Sequence, residues 1–204
     1  MSVHFTIDRF RRGGARADQY DRQLKRLKDA GKEVGCIEAA VRGSISNLRQ
    51  KKGDSFVIYG EPQSGKTEMM ICLTGMLVDE GYRFVLHLLN DSVDLLGQNL
   101  GRFKESGLAP AARNFSEILD PAVRLDGTPH VIFCKKNASD LRKLLDKLDN
   151  MDDIVIVDDE ADYASPNAKV NKGTRTRAYP YSSGAIVGYL WSDKELGHDA
   201  SDSG

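Results

Sequence analysis

The sequence predicts a doubly wound α/β fold, a mainly parallel sheet sandwiched between layers of helix. Three observations predict it. From residue 53 onward, short runs of β-branched and aromatic residues alternate strictly with amphipathic stretches of helical period. Those runs are apolar at consecutive positions, as strands covered on both faces must be. The first of them leads directly into a glycine-rich turn and then a helix.

Ahead of the sheet, residues 1–52 read as a basic helical extension. Tyr20, Leu24 and Leu27 form a sparse stripe at helical spacing, with Gly31 as a stop. Val34, Ile37, Val41, Ile45 and Leu48 then recur at three- and four-residue steps, the mark of a second amphipathic helix that Gly53-Asp54 ends. Ser55–Tyr59 (SFVIY) is the first strand, and the helix after it carries Met69, Met70, Leu73, Met76 and Leu77 on one side. Arg83–Leu89 is a second strand and Val93–Lys104 a second helix of the sheet region. His130–Cys134 is a third strand, with Asn137 capping a helix that bears Leu141, Leu144, Leu145 and Leu148. Ile154–Val157 is a fourth strand.

Composition narrows the class. The 204 residues allow one domain with appendages, and 40% apolar with 29% charged side chains suits a globular chain with a sizeable core. No apolar run nears the ~20 residues a membrane helix requires, and the N-terminus lacks a signal-peptide core. Cys36, Cys72 and Cys134 are far apart and odd in number, which suits reduced, mostly buried thiols in a cytoplasmic protein. The net charge of −1 conceals an asymmetry: residues 1–52 hold 13 Lys/Arg and 6 Asp/Glu, a balance of +7, which leaves −8 for the rest. Such an arm either steers toward a polyanion or is simply a solvated helical face.

Directly after the first strand comes Gly60-Glu61-Pro62-Gln63-Ser64-Gly65-Lys66-Thr67, which fits G-x-x-x-x-G-K-[ST]. Glycines at both ends let successive backbone N–H groups turn inward toward phosphate oxygens. The helix that follows adds the positive end of its dipole. Lys66 can reach β- and γ-phosphates, and the Thr67 hydroxyl can ligate Mg²⁺. The expected cofactor contacts therefore run from Gly60 through Thr67 to Glu68, the cofactors being ATP and Mg²⁺. By composition the pattern arises by chance in roughly one chain of this length in a hundred, and a mere glycine-rich turn is the alternative.

The strand Ile154–Val157 runs straight into Asp158-Asp159-Glu160-Ala161-Asp162. Open α/β sheets place ligands at the carboxyl ends of their strands. Asp159 is assigned to the metal, with Asp158 as the alternative ligand, and Glu160 to the water that attacks the γ-phosphate. An acidic turn that solvates a strand end is the competing explanation.

Asp159-Glu160-Ala161-Asp162 spells D-E-A-D, and with Gly60–Thr67 the chain resembles the first RecA-like lobe of superfamily 2 helicases. GEPQSGKT, VIFCKKN and IVDDEADYASPN look more narrowly like the helicase-like ATPase region of bacterial restriction and defence proteins. The resemblance covers roughly residues 53–177 and implies a RecA-like P-loop ATPase lobe, catalytic roles for Lys66, Asp159 and Glu160, and DNA as partner of the full motor. It also implies a second RecA-like lobe, or a nuclease or methyltransferase partner. By the same resemblance Asn90, Ser92 and Gln98 follow the strand whose loop touches a nucleic-acid backbone, although Asp91 would oppose a phosphate and a plain capped turn explains them too. Lys135 and Lys136 face either a phosphate backbone or solvent. Tyr163, Ser165 and Asn167 resemble the family's segment that relays nucleotide state, or fall in an ordinary loop. His4, His87, His130 and His198 have no ligand spacing.

The family pattern then breaks. Ile186–Tyr189 has a strand-like composition, but Leu190-Trp191-Ser192 replaces the expected coupling triplet, and residues 178–204 read as a divergent, disordered tail. With no second lobe in the sequence, the chain is expected to be a fragment or prematurely ended copy of a motor, or to be completed by a second polypeptide. The functional expectation is an ATP-binding lobe of a DNA helicase or translocase, incomplete as a motor alone. A nucleotide-dependent switch or interaction module is the alternative, and a P-loop kinase a third.

Overall fold

A computed structural model describes residues 18–50, 55–59, 65–149, 151, 153–159 and 185–190. Two helices, α1 (Gln19–Asp29) and α2 (Gly35–Gln50), precede β1 (Ser55–Tyr59), α3 (Lys66–Asp79), β2 (Phe84–Leu89) and α4 (Val93–Glu105). Then come β3 (Arg113–Asn114), α5 (Phe115–Ile118), β4 (His130–Lys135), α6 (Ala138–Lys147), β5 (Ile154–Asp158) and β6 (Ala185–Leu190). The two-residue β3 and one-turn α5 carry too little periodicity to be legible in the sequence; α5 is fixed by a capping box between Asn114 and Glu117.

The strands form one sheet in the order β1-β6-β5-β2-β4-β3, and every pair is parallel. β2 lies between β4 and β5 with all six of its residues buried. Alternate residues leave opposite faces, so the continuous apolar runs fill two cores. On one face Val85, Leu89, Val131, Phe133, Val155 and Val157 pack against α1 to α4; on the other Leu86, Leu88, Ile132, Ile154 and Ile156 meet Phe115 and Ile118 of α5, Leu144 of α6 and Leu148 at its C-cap. Each fully buried Leu, Ile or Phe side chain contributes about 1.5–3 kcal/mol, so these two layers dominate the stability of the fold.

The N-terminal helices are part of this core rather than an appended arm. Tyr20, Leu24 and Leu27 of α1 and Ile37, Val41 and Ile45 of α2 share one cluster with Met70, Leu73 and Leu77 of α3. Asp79, at the end of α3, accepts hydrogen bonds from the backbone N–H groups of Gln19 and Tyr20 at 3.1 and 2.9 Å, which caps α1 from another element. Several basic side chains of this region are matched by carboxylates: Lys28 with Glu38, Arg49 with Glu80, and Arg26 and Lys32 with Glu68. In the described part, then, much of the positive balance is spent internally.

Residues 185–190 correct the expectation of a disordered tail over 178–204. They form β6, paired in parallel with β1 on one side and β5 on the other. The physical reason is that AIVGYL is a short apolar run able to satisfy its backbone groups on both edges. The rest of 178–204 lies outside the described residues, as do residues 1–17 with His4.

Buried His87 belongs to the core. Its ring stacks on Phe133 with centroids 4.6 Å apart and meets Phe103 edge-on at 4.9 Å. The Thr74 hydroxyl donates to the Met70 carbonyl, so the 2.9 Å contact between Thr74 Oγ1 and His87 Nε2 assigns the ring proton to Nε2. Burial pushes this imidazole down to about 3, so it is neutral. Cys72 and Cys134 are buried as expected, their thiols pushed up to about 12 by desolvation, whereas Cys36 is exposed.

Candidate functional site

Because all paired strands run the same way, the ends of β2, β4 and β5 emerge together at one edge of the sheet. Leu89 pairs with Lys135 and Leu88 with Asp158, which brings Asn90, Lys135, Lys136 and Asp159 to a common ridge. α3 begins beside that ridge. Its N-cap, Gly65, sits at φ +83°, a left-handed conformation that a side chain would strain, and no side chain caps the helix among the described residues. The first-turn N–H groups of α3 thus remain the natural partners of an anion.

A cleft of about 190 Å³ opens here. Lys66 and Thr67 of α3 line it, with Leu89 and Asn90 at the end of β2, Asp159 after β5, and Leu95, Gln98, Asn99 and Arg102 along α4. Lys66 Nζ and Asp159 Oδ1 form an ion pair across it, with side chains 22% and 13% exposed. The start of α3 and the acidic strand end, more than ninety residues apart in sequence, are therefore in direct contact through these two residues. Thr67 Oγ1 accepts a hydrogen bond from Arg102 Nη1 at 3.1 Å.

Asp159 is held in place from behind. Its N–H donates to the Leu88 carbonyl at 2.9 Å, and Lys136 Nζ donates to its carbonyl oxygen. Lys136 also pairs with Asp158 at 2.5 Å, the two side chains being 2% and 8% exposed. This overturns the expectation that Lys136 faces a phosphate backbone or solvent: a carboxylate buried at the end of β5 needs a counter-charge, and the neighbouring strand end supplies it. Asp158, the alternative metal ligand, is correspondingly engaged by Lys136 beneath the cleft.

Lys135 is also committed, to Asp91 at 3.2 Å and Asp140 at 3.8 Å. Asn137 and Lys135 together hold the Asp91 carboxyl below its usual range. Ser92 Oγ accepts from the Leu95 N–H, the plain N-cap of α4. Asn90, placed among nucleic-acid contacts by resemblance, lines the same cleft as Lys66 and Thr67. Glu68 turns away toward α1, where it pairs with Arg26 and, at 3.2 Å, with Lys32. Burial pushes its carboxyl up, but the two cations more than offset this and hold it below the usual range.

Gly60, Glu61, Pro62, Gln63, Ser64, Glu160, Tyr163, Ser165 and Asn167 lie outside the described residues, as does His198. Arg102 is the charged cleft residue that motif reading misses, and Leu95 and Asn99 are missed with it. Its signal was the spacing of Leu95, Gln98, Asn99 and Arg102, which share one face of α4 while Leu96 and Phe103 face the core.

No family model matches the chain, and no curated protein matches it. Among the described residues no helix is long and apolar enough to cross a membrane.

Proposed function

We propose that this chain is the ATP-binding lobe of a superfamily 2-type DNA motor of restriction-defence kind, with a RecA-like P-loop fold, and that the cleft at Lys66 receives the phosphates. The Lys66–Asp159 contact carries this reading, because it joins the phosphate-loop pattern to the acidic strand end within one cleft. The donor set fits the ligand. Lys66, the start of α3, which no side chain caps among the described residues, and the left-handed Gly65 suit a polyphosphate. Mg²⁺ asks few ligands of a protein, and Thr67 with Asp159 are the oxygen donors at hand. They do not amount to a cluster of three acidic or imidazole groups, and none occurs among the described residues. When bound, MgATP would supply a polarised terminal phosphate. The chain's own part is to orient it with Lys66, to hold the metal with Thr67 and Asp159, and to keep Asp159 placed through Lys136. Glu160 follows Asp159 directly and is our candidate for orienting the attacking water.

The superfamily 2 resemblance implies that a second lobe supplies an arginine finger worth ~10³–10⁵ in rate, so these 204 residues assayed alone should bind nucleotide and turn it over slowly. Calorimetry on wild type and Lys66→Ala tests the reading. Loss of the ammonium should weaken ATP at least tenfold, about 1.4 kcal/mol; equal affinities would refute it. Strong DNA-stimulated ATPase by the isolated chain would refute the expectation of slow turnover.

One observation favours the alternative of a nucleotide-dependent switch. Arg26 and Lys32 clasp Glu68 in the first turn of α3, so a ligand that shifts this turn would be felt in the N-terminal helices. In that case nucleotide binding, still dependent on Lys66, would change backbone exchange in α1 without any DNA-stimulated turnover.

A further inference from the structure

Resting on the nucleotide reading above, we propose that Arg102 contacts the terminal phosphate of a bound nucleoside triphosphate and gives the cleft its preference for triphosphate over diphosphate. The cleft holds two cations of opposite circumstance. Lys66 is already matched by Asp159. Arg102 has no carboxylate within ion-pair distance among the described residues, and its one hydrogen bond there goes to a neutral hydroxyl, that of Thr67. A guanidinium carries five donors in a planar fork suited to phosphate oxygens, and the Thr67 bond uses a single one.

Position selects the phosphate. In the loop pattern Lys66 and Thr67 stand at the β/γ end of the polyphosphate, so a cation bonded to Thr67 lies at that end as well. The base of Arg102 is rigid, because Leu96 and Phe103 bury the adjoining face of α4 and Ser92 caps it. Its side chain is exposed and can exchange the hydroxyl for an anion. Gln98 and Asn99, one turn earlier on the same face, line the cleft with neutral donors that do not compete for the charge.

Binding of ADP and of a non-hydrolysable ATP analogue, each with Mg²⁺, to wild type, Arg102→Ala, Arg102→Lys and Lys66→Ala tests this. Wild type should favour the triphosphate severalfold. Arg102→Ala should lose about tenfold in triphosphate affinity and leave ADP within twofold, with Arg102→Lys in between. Because Arg102 is exposed, its variants should keep the wild-type unfolding midpoint. If Arg102→Ala weakens both nucleotides equally, or neither, while Lys66→Ala weakens both, the inference about Arg102 is wrong and the nucleotide reading stands. If wild type binds neither nucleotide, that reading fails and takes the inference with it.

Discussion

Replacing Lys136 by methionine separates a buried structural lysine from an exposed one. Its side chain is 2% exposed, it lies 2.5 Å from an Asp158 carboxylate that is itself 8% exposed, and it also donates to the Asp159 carbonyl. Methionine fills a similar volume, so the change removes charge rather than packing. The change takes the Lys136 counter-charge away from the buried Asp158 carboxylate, a defect that costs about 3–5 kcal/mol. Domains of this kind have only about 5–15 kcal/mol in total, and each kcal/mol is worth roughly 2–4 °C at this size, so the melting temperature should fall by about 6–20 °C. Urea unfolding followed by circular dichroism, extrapolated to water, measures the loss. Adding Asp158→Leu should restore most of it, since an apolar pair can replace a buried ion pair at little net cost. A loss within about 0.5 kcal/mol, the usual result for a surface side chain, would refute the buried pair and return Lys136 to the list of phosphate contacts.

Acid should weaken the protein through His87. A histidine whose folded pKa is depressed, here to about 3 by burial, contributes stability that is complete above its unfolded value near 6.5 and drains as pH falls below it. Between pH 8 and pH 5 this amounts to about 2 kcal/mol; His87→Leu should lose that much less over the same interval in urea melts, and identical acid sensitivity would contradict the assignment. Gly75→Ala probes the seat of α1. A Cβ there would lie 3.1 Å from the Tyr20 nitrogen and 3.2 Å from the Gln19 carbonyl carbon, backbone atoms that cannot rotate away. The crowding should cost about 1–3 kcal/mol in spite of alanine's better helix propensity. A Gly75→Ala protein with a raised melting temperature would mean that α1 does not pack on α3 there.

The amino-acid sequence by itself determined what depends on near neighbours. Ser55–Tyr59 matches β1 at both ends, and Asn137 caps α6 as its side chain chemistry requires, accepting from the Asp140 N–H. The apolar stripes placed α2 and α4 within a residue or two and α3 within three, because helical period is a local property. The candidate site was legible as two motifs for the same reason: Gly65-Lys66-Thr67 and Asp158-Asp159 are contiguous strings.

Tertiary structure alone decided which residues those strings would meet. Nothing near Lys135-Lys136 announces that the first cation faces Asp91 and Asp140 while the second is buried on Asp158; strand order sets that, and strand order joins residues far apart in the chain. Ala185–Leu190 lies between β1 and β5 because both of its edges find partners there, a pairing with no local signature. Arg102 joins the cleft because α4 crosses beside α3, which brings residues 67 and 102 within a hydrogen bond. Periodicity and capping are short-range effects written into the chain, whereas the environment of a charge is fixed by whatever the fold brings against it.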